Sequence, residues 1–274
     1  MPQTNRKVSM RLRRLITLSV AGALVVGIAG AFGLPRVISD QVAKLPESVQ
    51  NIANQVQPKP ITIFDPPKYS IDEPDSIWVV VNKQRQISPL RYTPTNLVFP
   101  NFPRPKIQNP FGLQLRLEAA VATVEMAKAM RNEGAGTLIL NSGFRTYKNQ
   151  QGLYNRTKDT RGLAVAEKLS ARPGHSEHQL GLAADFSARG QGCVILTCFG
   201  NTEAGRWLEE NAHEYGFILR YPKGFRAITG FQYEPWHFRY VGLELATELN
   251  AKGIKTLEEF WGLGSAPDYT QPAG

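Results

Sequence analysis

Between residues 15 and 34 (LITLSVAGALVVGIAGAFGL) no charge interrupts the apolar run, whereas further along the chain apolar positions recur in short, broken patterns. A helix rising 1.5 Å per residue would span about 30 Å over that run, the hydrocarbon thickness of a bilayer. Basic residues cluster ahead of it, so the positive-inside rule predicts a transmembrane anchor, with residues 1–14 as a cytoplasmic basic tail and the rest outside. Ala29-Gly30-Ala31 has the form of a signal-peptidase site, so a cleaved segment and a secreted chain is the alternative. Residues 35–73 are proline-rich and predict a spacer. Within it Ile38, Val42, Leu45, Val49, Ile52 and Val56 recur at steps of four and three, interrupted by Pro46. That stripe suits short amphipathic helices against the domain or the lipid surface, or a weak dimer seam.

Beyond the spacer the pattern predicts a domain over 74–262, followed by a C-terminal tail over 263–274. The β-branched run Ile77-Trp78-Val79-Val80-Val81 reads as its first strand. Leu113, Leu117, Ala120, Val124 and Ala127 share one helical face, which predicts a helix over 113–131 stopped by Gly134 and Gly136. A strand over 137–140, helices over 147–158 and 203–215, strands over 217–219 and 236–241, and a helical region from Leu243 to about Trp261 complete the pattern. A strand also follows Gly181. Neither repeated βαβ units nor a glycine-rich dinucleotide turn is present, which predicts an α+β fold: a small antiparallel sheet with flanking helices, preceded by the N-terminal membrane helix.

Charge changes the picture only by exclusion. The 274-residue chain carries a net charge of +9, and Arg6, Lys7, Arg11, Arg13, Arg14 and Arg36 account for most of it. The remainder is too weakly basic for a phosphate-neutralising footprint, so a nucleic-acid partner is not expected. A hydrophobic fraction of 42% excludes global disorder. The two cysteines, Cys193 and Cys198, lack the further ligands of a zinc site. Export would permit a disulfide between them, and their spacing lets the chain fold back.

Two segments carry candidate chemistry. In Ser176-Glu177-His178-Gln179-Leu180-Gly181-Leu182-Ala183-Ala184-Asp185, Gly181 lets the chain turn into a strand, so that His178 and Asp185 can converge on one ion. In Glu234-Pro235-Trp236-His237 a carboxylate precedes an imidazole by three residues at the mouth of a strand, and Pro235 disfavours a helix there. His178, Asp185 and His237 together offer three N/O ligands and leave a tetrahedral position open, as catalytic zinc requires. Glu234 is then placed to accept a proton from water, and Arg145, on a strand-to-helix turn, to stabilise an oxyanion. His213, among Glu209, Glu210 and Glu214, reads as solvated or ion-paired. His175 reads as a neighbour of the site rather than a ligand, and Trp236 as a packing wall.

The segments SGFRT with Gln150-x-x-Leu153-Tyr154, then ARPGHSEHQLGLAADF, then EPWH, resemble the VanY-type D-alanyl-D-alanine carboxypeptidases of the lysostaphin/D-Ala-D-Ala metallopeptidase group. The resemblance covers about residues 77–242. It implies a zinc peptidase with the metal in a cleft on the sheet, acting on peptidoglycan stem peptides that end in D-Ala. His178, Asp185 and His237 would be the Zn2+ ligands, Glu234 the catalytic base and Arg145 the group that polarises the scissile carbonyl. Ser176 and Gln150 would contact the terminal D-Ala. Phe144, Thr146 and Leu180 depart from the family's commoner residues, and Leu180 is expected to border the cleft. The resulting expectation is a membrane-tethered zinc D,D-carboxypeptidase acting on pentapeptide stems outside the cytoplasm. An L,D-carboxypeptidase trimming tetrapeptides and a non-catalytic wall-binding module are the alternatives.

Overall fold

Six short strands and eight helices form the described part of the computed structural model, which comprises Phe64 and residues 68–270 and belongs to a single compact unit. In chain order they are β1 (Leu97–Val98), α1 (Pro105–Gln108), β2 (Leu115–Arg116), α2 (Leu117–Asn132), β3 (Leu138–Ser142), α3 (Tyr147–Arg161) and α4 (Leu163–Leu169). There follow β4 (Ala183–Ala188), α5 (Glu203–Asn211), β5 (Phe217–Leu219), α6 (Arg226–Thr229), β6 (His237–Tyr240), α7 (Gly242–Lys252) and α8 (Leu257–Trp261). Single 3-10 turns stand at Glu177–Leu180, Thr197–Asn201 and Ala212–Tyr215. The main sheet runs β3-β4-β6-β5 with every neighbour antiparallel, and β1 pairs with β2 separately.

Strand β4 is buried at every position. Because side chains alternate across a strand, Ala184, Phe186 and Ala188 face one layer while Ala183, Asp185 and Ser187 face the other. The first set joins Leu138 and Leu140 of β3, Phe238 of β6, and Ala119, Met126 and Met130 of α2 in the main core. The second set leaves one polar face of the sheet for chemistry. Ser187 there accepts a hydrogen bond from Asn141 Nδ2 at 2.8 Å. A second apolar cluster, with Trp78, Val80, Leu245 and Leu249, packs α7 and α8 against the segment that precedes β1.

That preceding segment is not the strand predicted for Ile77–Val81. It is buried and runs beside the sheet without a ladder partner, because arginine side chains take its carbonyls. Arg239 Nη2 donates to the Ile77 and Val79 oxygens at 3.0 and 2.9 Å, and Arg85 Nε to Val80 at 3.0 Å. Apolar patterning reports burial but not which donors satisfy a backbone. The helix predicted over 113–131 begins only at Leu117, since Leu115 and Arg116 pair with β1. Thr146 caps α3 by accepting from Asn149 N at 3.2 Å, and the helix runs on to Arg161. The closing helical region divides into α7 and α8, with Gly253 ending the first and Thr256 capping the second.

The membrane part of the sequence expectation is corrected. Among the described residues no helix is long and apolar enough to cross a membrane. The longest, α2, has 16 residues including Glu118, Glu125, Lys128 and Arg131, and reaches only about 24 Å. The segment Leu15–Leu34 and the stripe Ile38–Val56 lie outside the described residues. An N-terminal transmembrane helix, a membrane partner and a single-pass location are therefore no part of the described structure.

Arg239 has no exposed surface and binds three backbone carbonyls as well as the Glu177 carboxylate. Arg239→Leu strands those acceptors, so a loss of about 3–5 kcal/mol in urea unfolding is expected. Lys128→Ala, which breaks only the exposed pair with Glu125, is expected to stay within about 0.5 kcal/mol.

Candidate metal centre

The turn Glu177–Leu180 carries His178, and Gly181 ends it in the left-handed region (φ +67). A Cβ at Gly181 would stand 2.9 Å from Leu97 Cδ2 and 3.2 Å from the Arg116 amide nitrogen, so glycine alone fits where the chain enters β4. Asp185 then lies on β4 directly opposite His237 on β6. His178 Nδ1 donates to the Gly143 carbonyl at 2.8 Å, since a carbonyl can only accept. That leaves His178 Nε2 facing Asp185 Oδ2 at 3.4 Å, while His237 Nδ1 faces Asp185 Oδ1 at 3.2 Å. The imidazoles meet edge to face with centroids 5.0 Å apart. One ligand atom from each of the three buried residues falls within 4.8 Å of the others, so the cluster can coordinate a metal ion. Asp185 Oδ1 is buried, and His237 Nδ1 at 3.2 Å is not aligned as a hydrogen bond to it, so a cation at this point would satisfy that oxygen.

Behind His237 stands a group that the sequence reading missed. Glu177, fully buried, takes His237 Nε2 at 3.3 Å, which turns Nδ1 of that ring toward the cluster. Its other oxygen accepts from Arg220 Nε and Arg239 Nη1, both at 2.9 Å. Arg220 continues to the buried Glu258 at 2.7 and 2.9 Å, and Asn82 closes the network on Glu258 at 3.0 Å. Burial opposes charge on Glu177, but Arg220 and then Arg239 outweigh it and hold the carboxyl well below the usual range. Burial also works against a charged His237, yet the Asp185 and Glu177 carboxylates push it up to about 9. His178 is pushed down, chiefly by burial. One sequence signal for the network existed: Arg220 and Arg239 stand in otherwise apolar strand segments, where an unpaired charge is too costly to bury.

A cleft of about 380 Å³ opens over the cluster. Glu234 lines it, with Oε2 3.8 Å from His237 Nδ1, and burial pushes its carboxyl up to about 7. Its backbone is fixed by Glu234 N donating to Tyr221 O at 3.1 Å and His237 N to Glu234 O at 3.0 Å. Arg145 enters from the turn after β3, held by its amide on His178 O at 3.1 Å. Its guanidinium donates to Gln150 Oε1 and Ser142 Oγ, both at 2.8 Å. Burial lowers its pKa, against the opposing pull of Asp185 and Glu234. Gln150 is itself engaged, donating to Ala171 O at 2.6 Å and Ser170 Oγ at 3.2 Å. Ser176 lines the cleft, as does the half-buried Trp236, and the Tyr221 ring packs tilted against the His237 ring with centroids 4.8 Å apart.

Other sequence-singled residues lie elsewhere. His175 binds the Asn82 carbonyl through Nδ1 at 2.8 Å and meets Tyr269 edge to face, away from the cluster. His213 sits half-buried in the turn Ala212–Tyr215. Leu180, expected at the cleft, has no exposed surface and belongs to the main core. It stands two residues beyond His178 in a turn of three residues per revolution, so the two side chains point apart. Cys193 and Cys198 are joined by a disulfide with Cα atoms 5.6 Å apart.

Known proteins are similar to this chain. Residues 112–243 match the VanY family model, described as D-alanyl-D-alanine carboxypeptidase. The putative carboxypeptidase YodJ of Bacillus subtilis is 40% identical over 195 residues, which is 70% of this chain and 69% of that protein. Among solved structures, the LdcB LD-carboxypeptidase is 41% identical with a TM-score of 0.62, over 69% of this chain and 87% of that one. A mutant of the vancomycin resistance D,D-pentapeptidase VanY in complex with Zn(II) is 35% identical with a TM-score of 0.55, over 68% of this chain and 99% of that one. The cleft is thus a metallopeptidase site of carboxypeptidase type, and a non-catalytic wall-binding module is set aside. The chain belongs to the VanY family of D-alanyl-D-alanine carboxypeptidases.

Proposed function

We propose that this chain is a zinc-dependent D,D-carboxypeptidase that removes the C-terminal D-alanine from peptidoglycan pentapeptide stems. The observation that carries the reading is the convergence of His178, Asp185 and His237 in one cleft with Glu234 and Arg145. Zinc held by the three ligands would lower the pKa of a water to about 7 and polarise a carbonyl. Glu234 stands beside that position as the general base, taking the water's proton and passing it to the leaving amine. Its burial and its raised pKa suit a group that both accepts and returns a proton near neutrality.

Arg145 supplies the positive charge for the oxygen on which charge develops as the scissile bond is attacked. Gln150 and Ser142 hold its guanidinium, so it is oriented before substrate arrives. Ser176 is the proposed contact to the terminal D-Ala, and Gln150 acts there together with the arginine it holds. A second reading, removal of D-Ala from a tetrapeptide stem, draws on the higher identity and TM-score to the LD-carboxypeptidase. The two readings share every residue named here and differ in the stereocentre and residue before the cleaved bond.

Purified protein incubated with tri-, tetra- and pentapeptide stems is expected to release D-alanine from the pentapeptide. Release from the tetrapeptide alone selects the second reading, and release from neither overturns both. Stripping with a chelator is expected to abolish turnover, with recovery on adding Zn(II).

In the Glu234→Ala protein, metal content by atomic absorption is expected to match wild type while kcat falls by about 10²–10⁴-fold. His237→Ala is expected to lose the metal as well. A fully active Glu234→Ala protein removes Glu234 from the role of base.

Glu177→Gln keeps an acceptor for His237 but removes the charge that both arginines face. Competition against a chromophoric chelator is expected to show zinc affinity about 10–100-fold weaker. An unchanged affinity would mean that Glu177 serves the fold alone.

A further inference from the structure

Residues 193–198 form a loop closed by the Cys193–Cys198 disulfide, and none of the chemistry above uses it. Its tip presents three consecutive aliphatic side chains, Val194, Ile195 and Leu196, at 53%, 40% and 57% exposure. Single exposed aliphatics are ordinary, but three in a row on a loop tip run against the polar chemistry of turns. The base of the loop is firmly tied. Gln191 donates through Nε2 to Ala135 O at 2.8 Å and accepts from Ala204 N at 3.0 Å, while Phe199 is wholly buried in the main core. The backbone is left-handed at Cys193 (φ 57) and again at Ile195 (φ 49). A β-branched residue rarely adopts that region, and such strain persists where the surroundings enforce it, often beside functional sites. The crosslink spanning those two positions supplies that enforcement. Ile195 also lines the same cleft as Glu234 and His237.

We propose that this disulfide-closed loop is a specificity-determining rim of the active-site cleft. It holds Ile195 against the aliphatic surface of the stem peptide on the N-terminal side of the scissile bond. The proposal rests on the carboxypeptidase reading above and adds a subsite to it. The metal cluster and Arg145 form a polar floor at the scissile bond, with Ser176 beside it for the terminal D-Ala. The rest of the peptide has to leave through the mouth, where the partly exposed Ile195, Leu153 and Leu169 line the way out. A diamino acid in the stem fits that rim: its methylene chain covers aliphatic surface while its charged tip stays in water. Ile195 is therefore a binding residue, whose contribution is the same in the ground state and the transition state.

Steady-state hydrolysis of the stem peptides by wild-type, Ile195→Ser, Ile195→Val and Cys193→Ser/Cys198→Ser proteins tests this. For Ile195→Ser, and for the double serine variant, KM is expected to rise about five- to ten-fold, the loss of a few buried methylene contacts. Over the same set kcat is expected to stay within about two-fold and zinc content to match wild type, the pattern of lost uniform binding. Ile195→Val is expected to keep the wild-type KM within about two-fold. Adding Ile195→Ser to the double serine variant is expected to raise KM no further, because the crosslink acts through that side chain. A wild-type KM in the Ile195→Ser protein overturns the proposal, and a wild-type KM in the double serine variant overturns the part given to the crosslink. If the wild-type protein hydrolyses no stem peptide, the carboxypeptidase reading fails as well. An active wild type with an indifferent Ile195→Ser sinks this proposal alone.

Discussion

Asp185 on β4 lies opposite His237 on β6, and the antiparallel register of these two strands brings both side chains to the polar face of the sheet. Side chains in a strand alternate with a period of two, so a slip of one residue would send the ligands into the core and Phe186 and Phe238 into the cleft. The burial of those two phenylalanines, packed 5.8 Å apart, therefore enforces the register that makes the cluster. Core and metal site are two faces of one pairing. His178 joins from outside the ladder, placed by the turn that Gly181 ends and fixed by the Gly143 carbonyl.

A second constraint lies beneath. Glu177, Arg220, Arg239 and Glu258 are buried with two positive and two negative charges, each hydrogen-bonded. A buried ion pair gains little over well-packed apolar side chains, and breaking one strands an uncompensated charge. What the network contributes is direction. Through Arg220 and Arg239 it links α8, the end of β5, β6 and the turn carrying His178, and the Glu177 carboxylate within it orients His237. The same arginine that holds Glu177 also satisfies carbonyls of the Ile77–Val81 segment. Scaffold and site thus share a side chain.

How much of this was legible in the sequence differs from one element to the next. The candidate cluster was readable because chemistry-bearing residues stand at short, fixed spacings: His178 and Asp185 flank one glycine turn, and His237 follows Glu234 across one proline. Helix α3 was placed over 147–158 and runs on to Arg161, whereas the closing region, read as one stretch from Leu243 to about Trp261, divides at Gly253. The Ile77–Val81 segment misled because its β-branched composition records burial, whereas its carbonyl partners come from Arg239 and Arg85, far off in the chain or outside any strand. Glu177 was overlooked between two residues with evident roles, since its partners Arg220 and Arg239 lie some forty to sixty positions away. Leu180, expected at the cleft where the resemblance puts a departure from the family, is aimed into the core by the 3-10 turn.

The sequence by itself determined which side chains can bind a cation, because ligand type and local spacing are written in consecutive residues. It also determined an antiparallel, mixed α and β architecture, through the periods of its apolar positions. Only the tertiary structure decided that His237 offers Nδ1 rather than Nε2 to the cluster, and that Gln150 grips Arg145. It alone decided that Ile195 lines the cleft. Those choices rest on hydrogen bonds and contacts between segments distant along the chain, which come together only when the sheet and its buried charges are assembled.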